Sequence, residues 1–467
     1  MSQARTTSRP SVAVVGSGVA GLTAAHLLAR AYDVTVFEAD ARIGGHAHTH
    51  ELTTSDGGLT AVDTGFIVHN DRTYPNLLRL FGELGVPTQD SDMSMSVRCD
   101  GCGLEYAGAQ KIGGLFPRAS NVTRPAYLKM LGEVVRFHRH ARRVMDSGAD
   151  AGDVTLGAFL AIGGYSRYFV EHFMIPVVSC VWSAGAAVSM SYPARYLFTF
   201  LDHHGMLGIG GSPQWRTVTG GSQAYVSRLV KGLGAVRTAT PVRSVLRTPA
   251  GVEVRDDADV VSGFDRVVVA THPDQALRLL ADATDDERDV LGSFEYSPNE
   301  VWLHHDTSLL PRAKGARASW NYLKPACRAV PNAARGDGSN AARGDGPGAA
   351  RGGGSDVARG DGAESPVLVS YDMNRLQRLT DPDDWVVTLN GSGRIDPDAV
   401  VAKTAYEHPI YTPESVAAQR RLPALNTGVT AFAGAYHGWG FHEDGCVSGV
   451  RAAQSLSEQP LGAGWSL

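Results

Sequence analysis

The stretch Ser11-Val12-Ala13-Val14-Val15-Gly16-Ser17-Gly18-Val19-Ala20-Gly21 runs a β-branched strand into a glycine turn and on into the Ala/Leu-rich segment Ala20 to Arg30. A second β-branched run, Val34 to Glu38, follows. Period and composition read as strand, helix, strand. Each glycine has a place in a βαβ unit built around a dinucleotide: Gly16 for the tight turn, Gly18 for close approach of a pyrophosphate, Gly21 for helix–strand packing. The helix then starts at Val19 and Ala20 with free N–H groups and the positive end of its dipole toward the phosphates. Glu38 ends the second strand, where a carboxylate can accept both ribose hydroxyls. Glycine spacing alone is a weak signal. With strand, helix and acid all in place, the segment reads as dinucleotide-binding.

Further along, Glu38-Ala39-Asp40-Ala41-Arg42-Ile43-Gly44-Gly45-His46 resembles the extended motif of the flavin amine oxidase, phytoene desaturase and protoporphyrinogen oxidase superfamily. Arg42 can neutralise diphosphate charge bidentately, and Gly44 and Gly45 let the main chain pass close to the cofactor. Asp63-Thr64-Gly65 falls where the superfamily places a short strand returning beneath the flavin. Thr219-Gly220-Gly221-Ser222, a helix, and Pro241-Val242-Arg243-Ser244-Val245 match the central segments, with Val242 at the adenine-contacting position. Phe432-Ala433-Gly434 and Glu443-Asp444-Gly445-Cys446-Val447-Ser448-Gly449 resemble the terminal flavin motif. The chain departs from it at Ala435, where relatives such as the amine oxidases carry an acid, and Glu443 or Asp444 is the candidate replacement. These dispersed segments are superfluous to a nicotinamide enzyme, so the resemblance implies non-covalent FAD. It also sets Tyr436, His437, Trp439 and His442 near the isoalloxazine. His437 is the candidate for proton transfer; rings that simply pack are the competing reading.

The expected architecture is α/β, a Rossmann-like FAD-binding domain with a discontinuous α+β substrate domain. The cofactor signals at both ends and in the middle divide the chain into 9–90, 215–290 and 411–460 for FAD, and 91–214 and 291–410 for substrate. Trp320, Asn321, Tyr371, Asn374 and His69 are candidate pocket residues without assigned roles. Segments such as Asp63 to Asn70, Ala318 to Tyr322 and Gly440 to Gly445 are similar to a subgroup of NAD/FAD-binding proteins found near, or fused to, cyclopropane fatty-acid synthase-like methyltransferases. That resemblance implies a small apolar substrate of lipid or acyl type. It leaves open an amine oxidase, a lipid isomerase or desaturase, and a non-catalytic flavoprotein partner of a lipid methyltransferase.

The remaining features bound the answer. The chain has 467 residues, 43% hydrophobic and 19% charged, enough to bury a large core. A net charge of -5 gives no reason to expect a nucleic-acid partner. The polar N-terminus lacks a secretory core, and five cysteines are too few for a disulfide framework, so a cytoplasmic setting is expected. Pro125 to Met145 reads as a helix with Tyr127, Leu128, Leu131, Val134, Val135 and Ala141 on an apolar side and Lys129, Arg136, Arg139, Arg142 and Arg143 opposite. Such a face is solvated, or it docks peripherally on an anionic membrane. Residues 333–363 repeat Ala-Ala-Arg-Gly-Asp-Gly with almost no large apolar side chains, which predicts disorder. Cys99-Asp100-Gly101-Cys102 reads as a hairpin tip with two incidental cysteines. No second ligand pair lies near it in sequence, so no metal site is expected.

Overall fold

The computed structural model describes residues 9–108, 111–147, 154–208, 211–327, 367–458 and 465, and the repetitive insertion lies outside the described residues. Five parallel strands form the cofactor sheet, in the order Ala235–Arg237, Asp33–Phe37, Ser11–Val15, Arg266–Val269, Thr430–Phe432. The opening strand is buried on both faces, as parallel sheets require. Val12 and Val14 pack with Leu22 and Ala25 of the helix Val19–Leu28 and with Val450 and Ala453 of the closing helix His442–Leu456. Ala13 and Val15 point the other way, onto Val245, Val252, Val254 and Phe294. That second face is covered by an antiparallel meander of Val242–Thr248, Gly251–Asp256 and Val261–Phe264.

The closing helix reaches the opening one through two glycines. A Cβ on Gly449 would stand 2.3 Å from the Ala20 carbonyl oxygen, and one on Gly445 would stand 2.6 Å from Val19 Cγ1. Only glycine permits that approach, and it carries the end of the chain to the phosphate turn.

The second sheet has seven strands, ordered Val400–Ile410, Glu295–His304, Val386–Leu389, Val369–Asp372, Trp320–Lys324, Met95–Cys99, Leu104–Gly108. All its pairings are antiparallel except Trp320–Lys324 with Met95–Cys99. Helices between Pro125 and His203 form a layer beside it, with a core rich in Phe and Tyr. The fold is therefore α/β, a Rossmann-like unit joined to an α+β unit, each gathered from separated segments. One expectation is corrected. The helix Pro125–Asp146 buries Tyr127, Met130, Glu133, Phe137 and Ala141, whereas Leu128 and Val135 are 43% and 39% exposed. Leu128 lies one position past Tyr127 and Val135 two positions from both Glu133 and Phe137, so each is rotated roughly 80–100° off the near edge of the buried stripe. Among the described residues no helix is long and apolar enough to cross a membrane.

Candidate active site

A cavity of about 690 Å³ runs between the two sheets. Its outer end is built by the opening βαβ unit. Gly16, at φ +103°, donates its N–H to the Phe37 carbonyl at 2.8 Å and closes the turn. A Cβ there would sit 2.5 Å from the Ala270 carbonyl oxygen, and one on Gly21 would sit 2.1 Å from that of Gly16. Gly18 differs: a Cβ on it would meet nothing within 4 Å, because it faces the cavity at the helix N-terminus. Glu38 is held in place by the Ser17 N–H at 3.0 Å, the Ser17 hydroxyl and the Asp40 N–H at 2.9 Å. Val19, Ala20, Ala39, Gly45, His46 and Val242 also line the cavity, and Gly434 and Ala435 bring the end of the chain to its wall.

The structure corrects several sequence expectations, Val447 and Trp439 among them, since both border a second cavity instead. Arg42 does not face the cavity. Its guanidinium donates to the carbonyls of Gly45 at 2.8 Å and Ala47 at 3.1 Å, so it holds its own loop in shape. Gly44, at φ +120°, shapes the same loop, and its N–H donates to Ser17 Oγ at 3.1 Å. Phosphate charge would instead meet the N–H groups of the opening helix. Glu443 is turned away as well, accepting from the Asn76 N–H at 3.0 Å and the Leu77 N–H at 2.9 Å to cap the helix Pro75–Leu84. Asp444 accepts from the Phe441 N–H at 2.9 Å and caps its own helix. Glu443, Asp444 and Val447 border a second cavity with Arg72, Asp202 and Trp439, so neither acid substitutes for the one missing at Ala435.

His437 is corrected as well. It lies outside the cavity, and burial pushes its imidazole down to about 3, which makes it a poor base at neutral pH. His442 is the ring that faces the cavity; it stacks on Phe66 at 3.6 Å between centroids and lies 3.1 Å from the Tyr225 hydroxyl. Trp320, Tyr371 and Tyr436 also line the wall. Asn321 ties strands together through Ser96 and Ala318, Asn374 binds the Asp383 carbonyl, and His69 packs edge-on against Phe81.

The structure adds residues that had no part in the sequence reading. Val181 and Trp182 come from the helix Ile175–Trp182, Leu389 from its strand, and Tyr406 and His408 from the long strand Val400–Ile410. That strand carried a legible signal, since Ala402, Thr404, Tyr406 and His408 alternate with exposed Lys403 and Glu407. A different omission concerns the cysteine pair. Cys99 and Cys102 are not isolated, because His172 and Cys327 come to the same point and the four ligand atoms lie within 4.8 Å of one another.

The outer end suits a dinucleotide: an open glycine, a helix N-terminus, and a pre-positioned carboxylate at the end of the second strand. The profile of the family described as flavin containing amine oxidoreductase matches residues 19–457. The chain belongs to that family. It is a flavin-dependent oxidoreductase whose cofactor is FAD. Gly16 to Ala20, Glu38, Val242 and Gly434 line the cavity in which it would be held. Solved structures with the same fold include cyclohexylamine oxidase of Brevibacterium oxydans IH-35A, at 16% identity and TM-score 0.64, covering 96% of this chain and 98% of that one. A CLA-producing fatty acid isomerase of P. acnes is similar at 15% identity and TM-score 0.63, covering 96% and 99%. Putrescine oxidase bound to putrescine is similar at 16% and 0.62, covering 96% and 98%. Among curated proteins, tryptophan 2-monooxygenase of Allorhizobium ampelinum is 54% identical over 46 residues, 9% of this chain and only 6% of that protein's length.

Burial dominates the titration of this flavoprotein. It pushes His46 and His437 down to about 3 and His48, His69, His204, His304 and His408 to about 4. It pushes Asp63 up to about 6 and Asp444 to about 7. Unfolding returns each histidine to 6.5, so stability is full above that pH and is lost as pH falls toward 4. The two aspartates act oppositely, contributing fully below 3.8 and losing their contribution as pH rises through 6 to 7. Seven groups outweigh two. The thermal midpoint is expected to climb between pH 4 and pH 6.5 and then level off; differential scanning calorimetry checks this, and a midpoint flat or falling over that interval would contradict it.

Proposed function

We propose that this oxidoreductase takes hydride from an apolar, acyl-type substrate. One feature of the cavity supports that reading: a set of apolar and aromatic side chains in its wall brings no carboxylate with it. Ile67, Val68, Val181, Trp182, Tyr371 and Leu389 form that set. The carboxylates lining the cavity among the described residues are Glu38, at the ribose end, and Glu407, which is exposed at the rim and paired with His272 at 3.1 Å. A cationic ammonium held among these side chains would lose its water and gain no carboxylate partner.

The cavity's own histidines agree with an uncharged occupant. Burial holds His46 and His408 neutral at pH 7, and His442 is pushed well below its ordinary value by the same cause. These rings orient by hydrogen bonding and stacking, and they are weak bases. FAD, when bound, supplies the hydride acceptor. The protein's contribution is to exclude water and hold an apolar chain against the cofactor end. The fatty acid isomerase of P. acnes is a fold relative whose name fits such a substrate.

The test is anaerobic mixing of the holoenzyme with unsaturated fatty acids and, separately, with primary amines, while flavin absorbance is followed. Bleaching by the acyl substrates alone is expected. Bleaching by amines, with hydrogen peroxide released on readmission of oxygen, would overturn the proposal in favour of an amine oxidase.

A further inference from the structure

Four metal-ligating side chains from three separate segments meet at the tip of the hairpin formed by Met95–Cys99 and Leu104–Gly108. Cys99, Cys102 and Cys327 offer three sulfurs and His172 a ring nitrogen. Cys102 Sγ lies 3.6 Å from His172 Nε2, and all four ligand atoms fall within 4.8 Å of one another. Tetrahedral coordination with metal–sulfur bonds of about 2.3 Å sets neighbouring donors roughly 3.8 Å apart, so the spacing is already near that of a metal shell.

The surroundings are built to hold these atoms there. His172 Nδ1 lies 3.2 Å from the Tyr168 carbonyl, so Nδ1 carries the proton and the lone pair of Nε2 faces the sulfurs. Its ring also stacks on Tyr168 at 4.1 Å between centroids. The residue sits in the π-helical turn Val170–Met174, a rare geometry found at functional positions. Strand pairing sets Lys324 opposite Cys99, and the chain continues from there to Cys327. Gly101 allows the contact, since a Cβ on it would stand 2.5 Å from the Cys327 nitrogen. Arg124 donates to the carbonyls of Cys102 at 2.8 Å and Gly103 at 3.3 Å, which brings a fixed positive charge close to the cluster.

We propose that Cys99, Cys102, His172 and Cys327 bind one Zn²⁺ in a closed tetrahedral site. Three thiolates and an imidazole select a borderline-soft ion over magnesium or calcium. Binding releases the three thiol protons and leaves one excess negative charge, which Arg124 faces. With four protein ligands no position remains for substrate, and none of the four residues lines either cavity. The ion's role is structural: it pins the hairpin tip to the helical layer and anchors Cys327, where the chain enters the repetitive insertion.

Elemental analysis of the purified holoenzyme tests this directly. The expected result is about one zinc per chain, falling below roughly a tenth in Cys102→Ser and Cys327→Ser while bound flavin is retained. If those variants fail to fold, cobalt titration of the chelator-treated wild-type chain decides. It should give the intense red-wavelength bands of a tetrahedral thiolate site, where oxidised flavin does not absorb. Three results would overturn the proposal: a purified chain without zinc that gives no such bands, zinc content unchanged by either substitution, or a disulfide among these cysteines in the native protein.

Discussion

Valine in place of Gly18 is expected to strip FAD from the protein while leaving the polypeptide folded. The backbone at Gly18, φ -66° and ψ 176°, is open to any residue, and a Cβ there meets nothing within 4 Å. The fold is therefore indifferent to the side chain. The cofactor is not, because this is where a pyrophosphate must touch the main chain. An inserted isopropyl group at a close-packed contact costs about 3 kcal/mol, or roughly a hundredfold in affinity. Flavin absorbance of the purified variant, with circular dichroism and thermal unfolding of the flavin-free forms, separates the two effects. Gly21→Val is the contrast: its Cβ would stand 2.1 Å from the Gly16 carbonyl oxygen, so folding and flavin should be lost together. A Gly18→Val protein that keeps stoichiometric FAD at wild-type affinity would contradict the assignment of this turn.

Asp63→Ala is expected to cost the largest stability of any single polar deletion near the cavity. Asp63 is fully buried and joins three parts of the chain. It accepts from Thr49 Oγ1 at 2.6 Å, from Ser222 N–H at 2.9 Å and Oγ at 2.8 Å, and from Gln377 Nε2 at 3.1 Å. Alanine leaves those donors without an acceptor in a dry site, a loss of about 3–4 kcal/mol. Asp63→Asn keeps one acceptor oxygen but turns an amide N–H toward existing donors, and should cost about half as much. Chemical denaturation of the flavin-free proteins measures both. An alanine variant within about 0.5 kcal/mol of wild type would show that water or repacking satisfies these donors.

What could be read from sequence was what the backbone must do locally. The turn from Val15 to Gly21 and the paired glycines at Gly220 and Gly221 announce themselves because a phosphate or a left-handed bend demands residues without side chains. The same holds for Gly445 and Gly449, whose spacing is legible although their partner, the Val19–Ala20 turn of the opening helix, lies at the other end of the chain. Side-chain direction was less legible. Arg42, Glu443 and Asp444 sit at motif positions, yet each found nearer backbone partners than the cofactor cavity. The first half of the Glu295–His304 strand was out of reach, because it is held by pairing with the distant Val400–Ile410. The cysteine–histidine cluster was out of reach for the same reason: a hairpin tip, a helical turn and a strand end share no local pattern.

FAD binding here requires remote segments to close around both halves of one long cofactor. Titration of the flavin-free chain with FAD and, in parallel, with FMN tests that most directly, since FMN lacks the adenylate half that Gly18, Glu38 and Val242 are placed to hold. One FAD bound per chain, at least roughly a hundredfold more tightly than FMN, is the predicted result. Failure to take up either flavin, or equal affinity for the two, would contradict it.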